Sequence, residues 1–371
     1  MKSEEFATAM PFFLNLFLPL QSKRSNMEKI REINGFAQTL LKWFETNGRE
    51  LPWRETNDPY AIWLSEIILQ QTQVKQGLDY WQRFMRRWPT VEDLAAATED
   101  EVLREWQGLG YYSRARNLHF AAKQIAGSGH FPNTFEEIKQ LTGVGDYTAA
   151  AIGSIAFGLP TAVVDGNVYR VLARHFGIET PTNSTEGKKT FSALAQSLMP
   201  APPLKGEGNV CGLYNQAIMD FGAIQCTPQS PKCVVCPLQE SCEALRTGKI
   251  SLLPMKEKKL KIKERHLIYI YIRCQGETAI HRRGEGDIWQ GLWEPVLVNS
   301  EQLIVNSEQL IVKAKGVKHV LTHQVLTADF YLWETETKPE LPEDYIWIKE
   351  EDIDNYGIPR LVDKLLKKLF S

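Results

Sequence analysis

The sequence predicts two domains of different class, a larger all-α domain followed by a smaller α+β domain. Three observations carry this. The 371 residues are more than one ordinary core fills. Apolar residues recur at helical spacing from Met27 to about Arg246. Beyond a lysine-rich stretch at 251–264 the pattern changes to short runs rich in β-branched and aromatic residues. Hydrophobic residues make up 43% and charged residues 24% of the chain, which excludes a disordered, collagen-like or disulfide-stapled protein. With 43 Lys+Arg against 45 Asp+Glu the net charge is −2, so bulk basicity cannot carry a nucleic-acid contact. Any such contact has to come from local patches and backbone amides.

Residues 1–26 read as an appendage. Their apolar run, Met10 to Leu20, is broken by Pro11, Asn15 and Pro19 and falls short of the roughly 18 residues of a membrane span. No clean cleavage site follows, so a cytoplasmic protein without membrane association is expected. The first helix follows from Ile30, Ile33, Ala37, Leu40, Leu41 and Phe44. Asp58-Pro59 is an N-cap followed by proline at the first helical position, opening a helix to about Gln70. Thr134-Phe135-Glu136-Glu137 has capping-box spacing and starts a short helix ending near Leu141. Further helices are expected at 79–87, 99–107, 114–127, 146–157, 166–176, 186–198 and 209–222. Lys256, Lys258, Lys259, Lys261 and Lys263 make 251–264 an exposed basic linker. Strands are expected at Leu267–Cys274, Val317–Leu321, Thr327–Trp333 and Tyr345–Ile348, and an amphipathic helix at about 359–370. Asn299 to Val305 is repeated identically as Asn306 to Val312. Two copies are too few for a solenoid, so a duplication in a surface loop is expected.

Cys226, Cys233, Cys236 and Cys242 have the spacing C-x6-C-x2-C-x5-C, with Pro231 and Pro237 stiffening the loop. Four thiolates in one short loop bind zinc or an iron–sulfur cluster. Zinc sites more usually pair two close-spaced couples, and here one couple is close. Cys211 and Cys274 lie outside the pattern and read as ordinary buried thiols. Upstream, Leu141-Thr142-Gly143-Val144-Gly145-Asp146-Tyr147 joins two expected helices through a Gly-x-Gly turn. Gly143 and Gly145 allow a sharp turn, and the free amides at the next helix N-terminus favour a phosphate oxygen. On its own the turn reads more readily as structural. Asp165, opening Asp165-Gly166-Asn167, is on its own a helix N-cap.

The cysteine spacing resembles the [4Fe–4S] loop of the endonuclease III-like glycosylases, and hairpin, aspartate and cysteine loop together resemble a helix-hairpin-helix DNA glycosylase. Three further segments narrow the resemblance: Gly48-Arg49-Glu50-Leu51-Pro52-Trp53-Arg54, Leu64-Ser65-Glu66-Ile67-Ile68-Leu69-Gln70-Gln71-Thr72, and Gly108-Leu109-Gly110-Tyr111-Tyr112-Ser113-Arg114. They resemble motifs of the MutY adenine DNA glycosylases, which remove adenine mispaired with 8-oxoguanine. The resemblance implies a helical glycosylase domain over 27–250 with a [4Fe–4S] cluster, and a Nudix-like domain over 265–371. It also implies a monomer acting on double-stranded DNA with an A:8-oxoguanine or A:G mispair. In this family the cluster is not the reaction centre; its loop would present Lys232 to the DNA backbone. Relatives that also cleave the strand carry a lysine at position 147, whose amine forms a Schiff base. Tyr147 cannot, so a monofunctional enzyme is expected.

Departure of adenine leaves oxocarbenium character on the sugar, which suits one protonated and one ionised carboxyl group. Glu66 stands among Ile62, Trp63, Ile67 and Leu69, which would raise its pKa, and the resemblance assigns it to protonating adenine N7. Without the resemblance it reads as a surface carboxylate on an amphipathic helix. Asp165 at a helix N-terminus is expected to stay ionised through the dipole and amides. The resemblance makes it the stabiliser of the sugar cation, with Asn167 orienting it and Tyr147 supporting the nucleotide. The adenine must be flipped out of the stack. The resemblance nominates Gln71 and Tyr111 as wedges, Thr72 and Leu109 beside the 8-oxoguanine, and Arg49, Trp53, Arg54 and Gln216 around the adenine. Trp53 and Tyr111 read equally as core aromatics.

In the C-terminal part the Nudix pattern of an arginine followed by clustered glutamates is absent, so recognition without hydrolysis is expected. Leu321-Thr322-His323 occupies the place of the family's Phe-Ser-His lesion-sensing loop. Thr322 and His323 keep hydrogen-bonding groups, whereas Leu321 packs but cannot stack. Three other readings compete. One is an endonuclease III-like glycosylase/lyase for oxidised pyrimidines, against which Tyr147 and the extra domain speak. The others are a non-catalytic iron–sulfur DNA-binding protein and a Nudix hydrolase acting on free nucleotides.

Overall fold

The computed structural model describes residues 26–201, 208–257, 263–298, 309–321 and 324–369, with side chains from residue 35 onward. The expected N-terminal extension (1–25), part of the linker (258–262), the first heptad copy with the start of the second (299–308), and Thr322 and His323 lie outside the described residues. Among the described residues no helix is long and apolar enough to cross a membrane.

The helical part runs α1 (Asn26–Asn47), α2 (Pro59–Leu69), α3 (Val74–Arg87), α4 (Val91–Ala96), α5 (Glu99–Glu105), α6 (Ser113–Ser128), α7 (Phe135–Gln140), α8 (Asp146–Phe157), α9 (Gly166–Phe176), α10 (Thr185–Ser197), α11 (Val210–Asp220) and the one-turn α12 (Glu243–Arg246). Each expected helix has a counterpart, although α3 begins five residues early. Helix α4 escapes periodicity because six residues are too few. Its start is nonetheless written in the sequence, since Thr90 and Asp93 form a reciprocal capping box. After Asp220 the helix widens into a π turn, Phe221–Gln225.

The C-terminal part contains a six-stranded sheet of order β4-β5-β1-β3-β2-β6. The strands are β1 (Lys263–Arg273), β2 (Glu277–Arg282), β3 (Trp293–Val298), β4 (Leu310–Val320), β5 (Gln324–Glu334) and β6 (Tyr345–Lys349), followed by helix α13 (Arg360–Lys367). Strands β1 and β5 pair in parallel, and the other pairs are antiparallel. The sequence reading misses β2 and β3. Pro295, a residue that argues against a central strand, pairs with Ile280 in the middle of the sheet. One sheet face packs on Leu361, Val362 and Leu365 of α13, and the other buries Ile268, Ile270, Ile272 and Val296.

The chain divides into two compact units at boundaries other than those expected. One unit comprises Met1–Ile67 and His130–Lys258, the other Ile68–Gly129 and Lys259–Ser371. Helices α3 to α6 therefore group with the sheet. Their contacts explain it: Arg282 meets Glu99 and Asp100 at 2.9 and 3.2 Å, Arg116 donates to the Gln290 carbonyl, and Leu103 lies against Gly291 and Gly357. The expected linker is corrected too. Leu253 is 2% exposed in the core of the first unit, and Thr182 and Asn183 hydrogen-bond Met255 and Glu257. Lys263 and Glu264 already belong to β1.

Candidate active site

In the first unit, α2, α8 and the N-terminus of α9 bring Glu66, Tyr147 and Asp165 into one electrostatic environment. Glu66 occupies the buried face of α2, 8% exposed, beside Ile62, Trp63 and Ile67 that form part of the core. The Tyr147 hydroxyl donates to Glu66 Oε2 at 2.8 Å and lies 3.4 Å from Met219 Sδ. Burial pushes the Glu66 carboxyl up to about 7; the Tyr147 hydrogen bond opposes the rise, the Asp165 charge adds to it, and Arg54 opposes it. Tyr147 is itself held well above the usual phenol range by burial and by the two carboxylates.

Asp165 is the N-cap of α9. Its Oδ1 accepts from the amides of Asn167 (2.9 Å) and Val168 (2.8 Å), and its Oδ2 from Asn167 Nδ2 (2.8 Å). Asn167 therefore orients the carboxylate from both backbone and side chain. Burial raises the pKa of Asp165, and the amides, the Asn167 side chain and Arg170 oppose that rise in part. The cost of taking a charge out of water outweighs the helix terminus here.

The residues nominated around the adenine are organised by a group the sequence reading missed. Asp220, fully buried at the end of α11, accepts from Arg49 N (2.9 Å), Arg49 Nε (3.0 Å) and Nη2, and from Arg54 Nη1 and Nη2 (both 2.8 Å). Arg54 Nη1 also bonds the Arg49 carbonyl at 2.8 Å. Although burial opposes ionisation, these donors hold Asp220 down at about 2. The clamp fixes the 3-10 turn Pro52–Arg54, whose Trp53 is 6% exposed. Gln216, 9% exposed, lies one turn before Asp220 on the same helix. A lone acidic residue in the otherwise apolar run Ala217 to Phe221 was the available signal.

The hairpin forms as expected between α7 and α8. Gly143 takes the left-handed conformation (φ 80°), Gly145 caps α8, and both are exposed beside the helix N-terminus. The cysteine loop is tied to α9 by two further arginines the sequence reading did not single out. Arg170 Nε donates to the Cys226 carbonyl (2.7 Å), and Arg174 donates to the Thr227 and Pro228 carbonyls (2.7 and 3.0 Å) and approaches Cys226 Sγ at 3.5 Å. Arg170 also reaches Asn167 Oδ1 at 2.7 Å, so one helix connects the loop to the Asp165 cap.

Cys226, Cys233, Cys236 and Cys242 are free, half-buried thiols within one another's electrostatic reach; burial first, then the neighbouring sulfurs, lift Cys236 to about 11. Among the described residues no three ligating side chains close around a single-ion position. Four cysteines sharing one environment can each supply one sulfur to an iron of a cluster. Lys232 stands exposed beside them, pinned by Gln225 through both its amide (3.0 Å) and its carbonyl (2.8 Å).

In the second unit, Arg114 organises the nominated wedge residues. Its Nη1 donates to the carbonyls of Ile68 (3.0 Å) and Gln70 (2.6 Å), its Nη2 to that of Gly110 (3.3 Å), and its guanidinium lies 5.7 Å from the Tyr111 ring centroid. It thereby joins the Gln71–Thr72 turn to the Leu109–Tyr111 turn. Gln71 and Tyr111 are both exposed and left-handed (φ 55° and 48°), a conformation uncommon outside glycine. Leu109 is buried, 8% exposed. Of the lesion-sensing segment, Leu321 packs against the core of the sheet domain.

Comparison with known proteins agrees with this geometry. Residues 64–196 match the HhH-GPD superfamily base excision DNA repair protein family, 226–242 the iron-sulfur binding domain of endonuclease III, and 268–368 the NUDIX domain. The cofactor is accordingly a [4Fe–4S] cluster. The chain is 32% identical over 351 residues to the adenine DNA glycosylase of Buchnera aphidicola subsp. Schizaphis graminum, covering 90% of this chain and 98% of that one. It is 45% identical over 240 residues to the adenine DNA glycosylase of Rattus norvegicus, where the match takes in 61% of this chain and spans 45% of the relative's length. Among solved structures it resembles a thermostable thymine-DNA glycosylase, with TM-score 0.53 and 32% identity over 59% of this chain and 99% of that one.

Proposed function

The chain belongs to the adenine DNA glycosylase family, and on that premise we propose that it excises adenine mispaired with 8-oxoguanine or guanine in double-stranded DNA, leaving an abasic site without cutting the strand. The observation that carries the proposal is the Glu66–Tyr147–Asp165 group. A carboxyl pushed up to about 7 keeps a substantial protonated fraction near neutrality and can protonate adenine N7. With Tyr147 occupying Oε2, the proton would sit on Oε1. As the C1′–N9 bond lengthens, the electron pair leaves with the base and positive charge grows on the sugar. The Asp165 carboxylate, anchored by its three donors, supplies a pre-oriented anion for that cation in a water-poor setting. Water then adds to C1′. Tyr147 has no amine, so no imine to the sugar can form. The cysteines hold a cluster whose chemistry when bound is structural: it crosslinks the loop that presents Lys232. The enzyme would work as a cytoplasmic monomer.

The test is base release from A:8-oxoguanine, A:G and A:T duplexes, each followed by alkali. Adenine release from the two mispairs, with strand breaks appearing only after alkali, is expected. Release from A:T alone, or efficient borohydride trapping of a protein–DNA adduct, overturns the proposal. Glu66→Gln and Asp165→Asn should each lower the excision rate by about 100-fold or more while retaining duplex binding. Normal turnover in either variant would remove that residue's role.

A further inference from the structure

A cleft of about 370 Å³ within the second unit is lined by α3, by Gln107 and Gly108 just before the Leu109–Tyr111 turn, and by α13. Gln76, just beyond the Gln71–Thr72 turn, and Tyr80 and Gly108 line one side, and Arg360, Asp363 and Lys367 of α13 line the other. The floor is rigid. Tyr80 Oη donates to the Gln107 carbonyl at 2.6 Å, and the Gly108 amide donates to Tyr112 Oη at 3.3 Å. Gly108 has φ 101°, and a Cβ there would meet Tyr80 Oη at 2.6 Å, so the backbone is bare by necessity. One face of the Tyr80 ring is taken by the Arg83 guanidinium, 4.2 Å from its centroid. The cleft therefore offers charge and polar backbone, not a stacking platform.

Its charge is positive and unevenly held. Lys367 Nζ lies 3.0 Å from Asp363 Oδ2 and is partly neutralised by it. Arg360 sits at the opposite end of the helix and acts electrostatically on both Tyr112, next to the wedge turn, and His319 on β4. Any strand whose base stack is entered by Gln71 or Tyr111 must run its phosphates along these turns.

We propose that this cleft binds a phosphodiester of the DNA strand opposite the excised adenine, with Arg360 as the contact and Asp363 weakening it. The proposal rests on the reading of Gln71, Thr72, Leu109 and Tyr111 as duplex-facing residues. A phosphate contact positions the strand and carries no sequence information, so it should affect every duplex alike. The opposed charges give it a two-sided signature that a packing role does not share.

The experiment measures duplex affinity of the full-length, cluster-loaded protein across a salt series, on an abasic product duplex and on an undamaged one. Arg360→Gln should weaken both about three- to tenfold and reduce the slope of log K against log salt by about one. Asp363→Asn should tighten both, and Lys349→Gln, removing an exposed cation on β6, should change neither. An unaltered salt slope in Arg360→Gln, or weaker binding in Asp363→Asn, overturns the proposal. So does a lower excision rate with an unaltered slope, which would make Arg360 a support of the Gly108 turn. Failure of the excision reading is separable: a parent protein that binds duplex but releases no adenine leaves the salt-slope comparison intact.

Discussion

Glu66 lies on the buried side of α2 with Tyr147 as its hydrogen-bond donor, and its carboxyl is displaced to about 7 because the charged form is poorly solvated there. Two consequences follow at the residue scale. As a proton donor, Glu66 must be protonated, so kcat/KM should fall as pH rises through about 7, and Glu66→Gln should lack that limb. The Tyr147 hydrogen bond favours the ionised form, so Tyr147→Phe should move the limb to higher pH; a pH–rate profile reads both. The linkage to stability has the matching sign. A carboxyl raised above its unfolded value of 4.5 favours the folded state below that pH and loses the contribution as pH rises through about 7. At pH 8 Glu66→Gln should therefore unfold at higher denaturant concentration than the parent, by up to about 3 kcal/mol, while being inactive.

At the scale of elements, the site depends on two clamps between segments distant in sequence. Asp220 at the end of α11 holds the Arg49–Arg54 segment by charge-assisted hydrogen bonds, and its own carboxylate has no solvent to replace them. Removing one partner of a buried pair leaves the other uncompensated, so Asp220→Asn should lower stability by about 3–5 kcal/mol in chemical denaturation. Its folded pKa is depressed, so this contribution is present above about pH 4 and lost as pH falls toward about 2. Helix α9 is the second clamp, with Asp165 at its N-terminus and Arg170 and Arg174 holding the cysteine loop. Cys236→Ser should reduce bound iron and open 226–242 to protease. If the loop meets DNA and not the glycosidic bond, as proposed, duplex affinity should then fall more than the single-turnover excision rate.

At the scale of the whole molecule, the division into units places α3 to α6 with the sheet, so the nominated wedge turns and the strands β4 and β5 belong to one unit. The last three residues of the tandem heptad, Leu310 to Val312, open β4. The second copy supplies Leu310, Ile311 and Val312, paired with Trp333, Leu332 and Tyr331, which corrects the expectation of a surface loop for those three residues. Deleting either copy produces the same chain and still leaves one Leu-Ile-Val triplet to enter the strand. Excision of adenine and the thermal midpoint should both be close to the parent's; a loss of lesion binding would mean that the longer β3–β4 connection has a role of its own.

The sequence by itself determined what local chemistry and periodicity can write. The helices from α1 to α11, α4 excepted, follow from repeating apolar positions and capping residues, the Gly143–Gly145 turn from glycine, and the cluster ligands from the spacing of four cysteines. Glu66 and Asp165 were nominated through the resemblance of their motifs. Only the tertiary structure decided how burial acts on each charge. Asp220 reads as an ordinary helix residue until arginines 171 and 166 positions away surround it, and Asp165 reads as a cap until burial also acts on its carboxylate. The grouping of α3 to α6 with the sheet, and the central β3 with its Pro295, likewise depend on partners that no local window contains. Desolvation and pairing are properties of the space around a group, and that space is assembled from the entire chain.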